Sequence, residues 1–149
     1  MDLSNDYEII KKKEISLYLN KKPRNFKEID DYIYPNIKIA ILIPAYNEMH
    51  TIGKIIDKIP KNISNKLEII VINDGSEDKT FDILADKKVN IINFHHNQGN
   101  GAAVRIGIDY CSKMNFKVVV TLDADGQHNP EDIPKFIEPI LKREADFVV

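Results

Sequence analysis

From Ile37 to Val149 the chain alternates short β-rich apolar runs with longer helix-like stretches, and this alternation restricts the fold more than any other feature. The runs are "IKIAILIPAYN", "LEIIVINDGS", "VNIINFHHN" and "FKVVVTLDADG", and between and after them come "MHTIGKIIDKI", "KTFDILADK", "GAAVRIGIDYCSK" and "PEDIPKFIEPILKR". "ADFVV" is expected to form a last strand, so the pattern is four strand–helix units plus one. Strands that are almost wholly apolar, separated by helices of about three turns, predict an α/β fold whose mostly parallel sheet is covered by helices on both faces. No repeat, flexible linker or low-complexity tract interrupts the pattern.

Helix punctuation agrees with this reading. Asn129 is placed to cap a helix that Pro130 opens, with Asp132 at its third position. Ser76 is expected to cap the helix carrying Phe81, Ile83 and Leu84. Pro134 suits an opening turn, whereas Pro139 should kink or end the last helix.

Residues 1–36 differ in character: they are rich in lysine and show only partial helical periodicity through Ile15, Tyr18 and Leu19. They read as a basic N-terminal arm, either a solvated helix resting on the domain or a segment that approaches an anionic membrane; the solvated helix is preferred. The chain of 149 residues is 43% hydrophobic and 30% charged, enough for one globular domain with a core. Its net charge of -2 argues against a nucleic-acid partner. Cys111 is the single cysteine, which excludes an internal disulfide, suits a reducing compartment and reads as a buried small residue in a helix. With no signal-like start and no apolar run long enough to span a bilayer, the expected location is cytoplasmic.

In a parallel α/β sheet, ligands bind beyond the carboxyl ends of the strands, where loops and helix N-termini converge. Here those ends read "PAYNE", "NDGSED", "HHNQGNG" and "DADGQ". Four ends rich in acids, amides or glycine on one predicted edge point to a polar ligand. If the backbone stays extended, Asp123 and Asp125 face one side, with Gln127 next. At about 6–7 Å and an effective dielectric of about 20, two ionised carboxylates repel by about 2–3 kcal/mol. A divalent cation bridging them to a diphosphate would remove that repulsion; the competing reading is a polar turn.

Other elements have ordinary readings too. Asp74 can build a turn with Gly75. His95 and His96 are adjacent at a strand end and point apart, so a shared metal is not expected. "GNGAAVRIG" has Val104 where a dinucleotide fingerprint needs its third glycine, which disfavours a nicotinamide site. Arg105, about one turn into its helix, is placed either to meet a phosphate or to form a surface ion pair.

Taken together, "ILIPAYNE", "VINDGSEDKT", "HHNQGNGAAVRIGI" and "VVVTLDADGQHNPEDI" resemble the nucleotide-binding half of the family 2 inverting glycosyltransferases of GT-A (Rossmann-like) fold. The nearest similarity is to polyprenyl-phosphate sugar transferases, the group that includes dolichyl-phosphate mannose synthase. The resemblance implies that residues 37–149 form a nucleotide-sugar-binding domain and that the C-terminal acceptor half is lacking. It implies that Pro44, Tyr46 and Glu48 line the nucleoside pocket, that Ile72 and Asp74 contact the base, and that Asp123 and Ala124 meet ribose and diphosphate. Asp125 would hold Mg²⁺ or Mn²⁺ with Gln127 beside it, and Arg105 would reach the phosphates.

The implied reaction passes a sugar from a UDP- or GDP-linked donor to a lipid phosphate or glycan, with inversion. No residue is assigned as catalytic base. A lipid-phosphate oxygen is already ionised near neutral pH and needs none. The expected setting is the cytoplasmic face of a membrane, peripherally or through a membrane-protein partner. The alternative is a nucleotide-sugar-binding module without turnover of its own.

Overall fold

Isoleucine and valine dominate the apolar runs, and their branched Cβ atoms favour a pleated, packed surface. In the computed structural model, which describes residues 7–10, 33 and 36–149, these runs are the strands of one sheet. The order along the chain is β1 (Tyr7–Ile10), β2 (Lys38–Ala45), α1 (Ile52–Lys58), β3 (Lys66–Asn73), α2 (Thr80–Ala85), β4 (Asn90–Phe94), α3 (Asn100–Lys113), β5 (Val118–Thr121), a 3-10 turn at Pro130–Asp132, and α4 (Ile133–Leu141).

The strands lie in the order β1-β4-β3-β2-β5. β4, β3, β2 and β5 are parallel to their neighbours, and β1 pairs antiparallel with β4. The predicted mostly parallel sheet is therefore present. β1 comes from within the stretch read as an arm, so part of that stretch belongs to the sheet. The periodicity through Ile15, Tyr18 and Leu19 lies outside the described residues.

Strand alternation divides the core into two layers. Ile39, Ile41 and Ile43 of β2 pack on one face with Ile52 and Ile56 of α1, Leu84 of α2 and Ile137 of α4. Ala40 and Leu42 turn to the other face, against Ala103, Ile106 and Cys111 of α3. Because β2 is buried on both faces beyond Lys38, residues 39–45 form a continuous apolar run, with no polar residue marking an outside. α3 approaches β2 closely at Gly107, where a Cβ would lie 2.9 Å from Leu42 Cγ.

Local expectations fare unevenly. The Asn129 side chain does accept the Glu131 amide at 3.3 Å, capping the 3-10 turn that leads into α4. Pro139 sits inside α4 without stopping it at once; the helix ends two residues later, at Leu141. Ser76 does not cap α2: its hydroxyl is engaged by another loop, and Asp78 Oδ1 accepts the Thr80 amide at 2.8 Å instead.

The expected last strand is absent. Residues 145–149 carry no strand, and Phe147 and Val149 are 79% and 98% exposed. A β-prone run becomes a strand only when a neighbouring backbone completes its hydrogen bonds, and these residues join no ladder.

Candidate functional site

Along the chain, β2, β3 and β4 are laid down successively in one direction, and β5 then returns to the far side of β2. The strand order reverses between β2 and β5, which is the place where an open α/β sheet leaves a crevice beyond its carboxyl ends. A cleft of about 370 Å³ lies there. The end of β2 contributes Pro44, Ala45, Tyr46 and Glu48, and Asp74 follows β3. Asn97, Asn100 and Ala103 come from the β4–α3 connection and α3, and Asp123, Ala124 and Asp125 follow β5. All four parallel strands thus send residues to one cleft.

β5 ends at Thr121, and the Leu122 amide adds one more bond to Leu42 O at 2.9 Å before the chain turns. Ala124 and Asp125 are in that turn, and Gly126 takes a left-handed φ of +81°. The extended-strand expectation for Asp123, Asp125 and Gln127 therefore fails at the turn. Both aspartates still line the cleft, flanking the buried Ala124, while Gln127 is exposed and outside the lining. Asp125 Oδ1 accepts the Gln127 amide at 2.9 Å, so Gln127 fixes the carboxylate through its backbone.

Asp74 is only 3% exposed. Its Oδ1 accepts the Gln98 amide at 2.7 Å and its Oδ2 the Gly99 amide at 2.9 Å. The carboxylate does not close a turn of its own with Gly75; it holds the β4–α3 loop. Gly75 makes this approach possible, since a Cβ there would stand 2.5 Å from the backbone of His96 and Asn97.

The β3–α2 loop also grips the β2–α1 loop. Asn47, at a left-handed φ of 57°, donates its amide to Ser76 Oγ at 2.9 Å. The Glu48 amide donates to Thr80 Oγ1 at 2.8 Å, and the Met49 amide to Asp78 Oδ2 at 3.2 Å. In return, Asn47 Oδ1 accepts the Glu77 amide at 2.9 Å and the Asp78 amide at 3.3 Å. Burial works to raise the pKa of Asp78, but bonds from the Thr80 hydroxyl and amide and from the Met49 amide outweigh it and leave the pKa lowered. The Glu48 carboxylate accepts the Thr51 hydroxyl at 2.5 Å, which orients it at the cleft wall.

Of the residues singled out by sequence, Pro44, Tyr46, Glu48, Asp74, Asp123, Ala124 and Asp125 meet in this cleft. Ile72 does not: it is fully buried in the layer beneath α3. Position along the strand explains this: Ile72 lies inside β3, whereas Asp74 lies just past its carboxyl end. Arg105 is exposed on α3 and is not part of the lining, where Asn100 and Ala103 stand instead. His95 and His96 are exposed and also outside it. Asn97 and Asn100 were legible only as members of the polar loop "HHNQGNG".

A divalent cation fits this donor set in a limited way. Among the described residues no group of three or more His, Cys, Asp or Glu could hold a metal. Asp123 and Asp125 offer carboxylate oxygens, the donors that hard cations take, and the rest of a six-oxygen shell would have to come from a ligand and water.

Comparison with known proteins bears on the same region. The description "Glycosyl transferase family 2" matches residues 40–149. The UDP-N-acetylglucosamine--dolichyl-phosphate N-acetylglucosaminyltransferase of Methanococcus voltae is 34% identical over 134 residues, covering 74% of this chain and 50% of the relative. The undecaprenyl-phosphate mannosyltransferase of Micrococcus luteus is 30% identical over 122 residues, covering 76% and 47%. The chain thus spans about half the length of these relatives.

Among solved structures, glucosyl-3-phosphoglycerate synthase from Mycobacterium tuberculosis, bound to Mn²⁺, UDP and glucosyl-3-phosphoglycerate, superposes with a TM-score of 0.59. It shares 24% identity, over 71% of this chain and 40% of that one. The mannosyltransferase PcManGT from Pyrobaculum calidifontis, with GDP-Man and Mn²⁺, gives 0.59 at 20% identity, over 69% and 32%. The fold is therefore the GT-A type implied by the sequence.

Proposed function

Because the chain belongs to glycosyl transferase family 2, we propose that it is the donor-binding part of an enzyme that moves a sugar from a nucleoside diphosphate to a lipid phosphate, with inversion. The observation that carries this reading is the convergence of Asp74, Asp123 and Asp125 with Tyr46 and Glu48 in one cleft at the strand-order reversal. Relatives named for dolichyl and undecaprenyl phosphates support the acceptor class, and neighbours bound to UDP or GDP-mannose support the donor class.

In this reading Pro44, Tyr46 and Glu48 form the nucleoside wall, and Asp123 and Ala124 face ribose and diphosphate. Asp125, with one oxygen tied to its own turn, would direct the other toward Mg²⁺ or Mn²⁺. A bound divalent ion supplies Lewis-acid stabilisation of charge on the departing diphosphate. The acceptor phosphate oxygen forms a bond to the anomeric carbon as the bond from that carbon to the diphosphate oxygen breaks. The attacking oxygen is already an anion, so the chain needs no base for this step. No helix among the described residues is long and apolar enough to cross a membrane, and a peripheral position at its cytoplasmic face would bring a lipid acceptor within reach.

A second reading is a donor-binding module that turns over only when another polypeptide supplies an acceptor surface. The open outer edge of β5 favours it, since no strand among the described residues covers that side.

Isothermal titration with UDP and GDP, with and without Mn²⁺ or Mg²⁺, tests both readings. Metal-dependent binding of one nucleotide is expected. Asp125→Asn should weaken it by about tenfold or more, roughly 1.4 kcal/mol, while His95→Ala leaves it unchanged. Sugar transfer to polyprenyl phosphate in vesicles supports the enzyme; binding without transfer supports the module; binding of neither nucleotide rejects both.

A further inference from the structure

The Tyr46–Glu48 wall of the cleft is not held by burial. Tyr46 is 43% exposed, and Asn47 beside it adopts a left-handed conformation that a non-glycine residue seldom takes without support. Three consecutive amides, those of Asn47, Glu48 and Met49, each donate to a different side chain of the β3–α2 loop and the start of α2: Ser76, Thr80 and Asp78 respectively. Asn47 closes the circuit by accepting from the Glu77 and Asp78 amides. Thr80 is the centre of this lock. It is fully buried, accepts from Glu48 N and donates its own proton to Asp78 Oδ1 at 2.5 Å.

None of Asn47, Ser76, Asp78 and Thr80 lines the cleft, so any effect they have on a ligand must pass through the loop they hold. We propose that Thr80, acting with Asp78, is a positioning residue for the donor nucleotide: its hydroxyl fixes the Glu48 backbone and thereby sets the nucleoside wall before the ligand arrives. This inference rests on the donor-binding reading above. It extends that reading to residues that touch no ligand, with preorganisation of the wall as the physical reason. The same β3–α2 loop steadies the opposite wall through Asp74, so both flanks of the cleft are referred to a single connection.

The test uses the whole chain and two substitutions that separate positioning from stability. Thr80→Val preserves the buried volume and removes the hydroxyl; Thr80→Ser keeps the hydroxyl and deletes a buried methyl. With UDP and GDP plus Mn²⁺ as probes, Thr80→Val should weaken binding by about tenfold, while Thr80→Ser stays within about twofold of wild type despite a lower melting temperature. Hydrogen exchange at the Glu48 amide, measured without ligand, should speed up about tenfold in Thr80→Val and change little in Thr80→Ser. Affinity that simply follows melting temperature, or Thr80→Val binding as wild type does, overturns the proposal. Failure of the wild type to bind either nucleotide removes the functional reading and this one with it, whereas wild-type binding that survives Thr80→Val removes only this one.

Discussion

At the scale of single residues, the cleft depends on places where two backbones come unusually close. Gly75 combines a left-handed φ of +66° with a backbone contact that leaves no room for a Cβ. Gly75→Ala must therefore adopt a strained conformation and also push the β4–α3 loop away, with no flexible side chain able to yield. We expect a loss of at least about 2 kcal/mol in urea unfolding. The exchange protection of the Gln98 and Gly99 amides should fall with it, because Asp74 can no longer reach them. An unchanged midpoint would mean that the loop yields freely. The paired aspartates were legible in "DADG" because their charge makes sense only beside a ligand or in a turn; the structure places both at the cleft, with Asp125 bonded within a turn. Ile72 is packed beneath α3 and outside the cleft lining, because it lies within β3 while Asp74 lies beyond the strand's end.

At the scale of elements, α3 shows how a helix is fitted to the sheet beneath it. Its small residues, Ala103 and Gly107, face β2, and Cys111 completes the buried stripe four residues further on. Burial, reinforced by the nearby Glu68 carboxylate and opposed by Lys38, pushes the Cys111 thiol up to about 11. At pH 8 only about 0.1% is then thiolate, and the sulfur has no exposed surface. Ellman's reagent should leave the native protein unlabelled over hours and react fully within minutes in denaturant; rapid native labelling would place Cys111 outside this layer. The helix and its buried cysteine were readable from sequence because the 3.6-residue period is local. The start of α2 was not, because Ser76 is called away by Asn47, a residue 29 positions earlier.

At the scale of the whole molecule, the parallel sheet has unequal edges. β1 closes one side against β4, whereas β5 ends the other with nothing beyond it among the described residues. Beside β5 lies a groove of about 580 Å³ lined by Val119, Phe136, Phe147 and others, with Val119 itself 36% exposed. An apolar strand edge of this kind templates pairing with another chain. Val119→Lys is therefore expected to lower self-association, read as light scattering at a fixed concentration, with the circular dichroism of the folded protein retained; unchanged scattering would show that the edge is not the sticky surface. The sequence alone determined the α/β class, the parallel strands and most of the cleft, because hydrophobic period and polar strand ends are written locally. Only the tertiary structure decided that β5 returns beside β2, that the apolar tail stays out of the sheet, and that Thr80 and Asp78 hold a loop about 30 residues away. Those outcomes depend on which backbone groups meet across the fold, and hydrogen-bonding partners distant in the chain leave no periodic mark in the sequence.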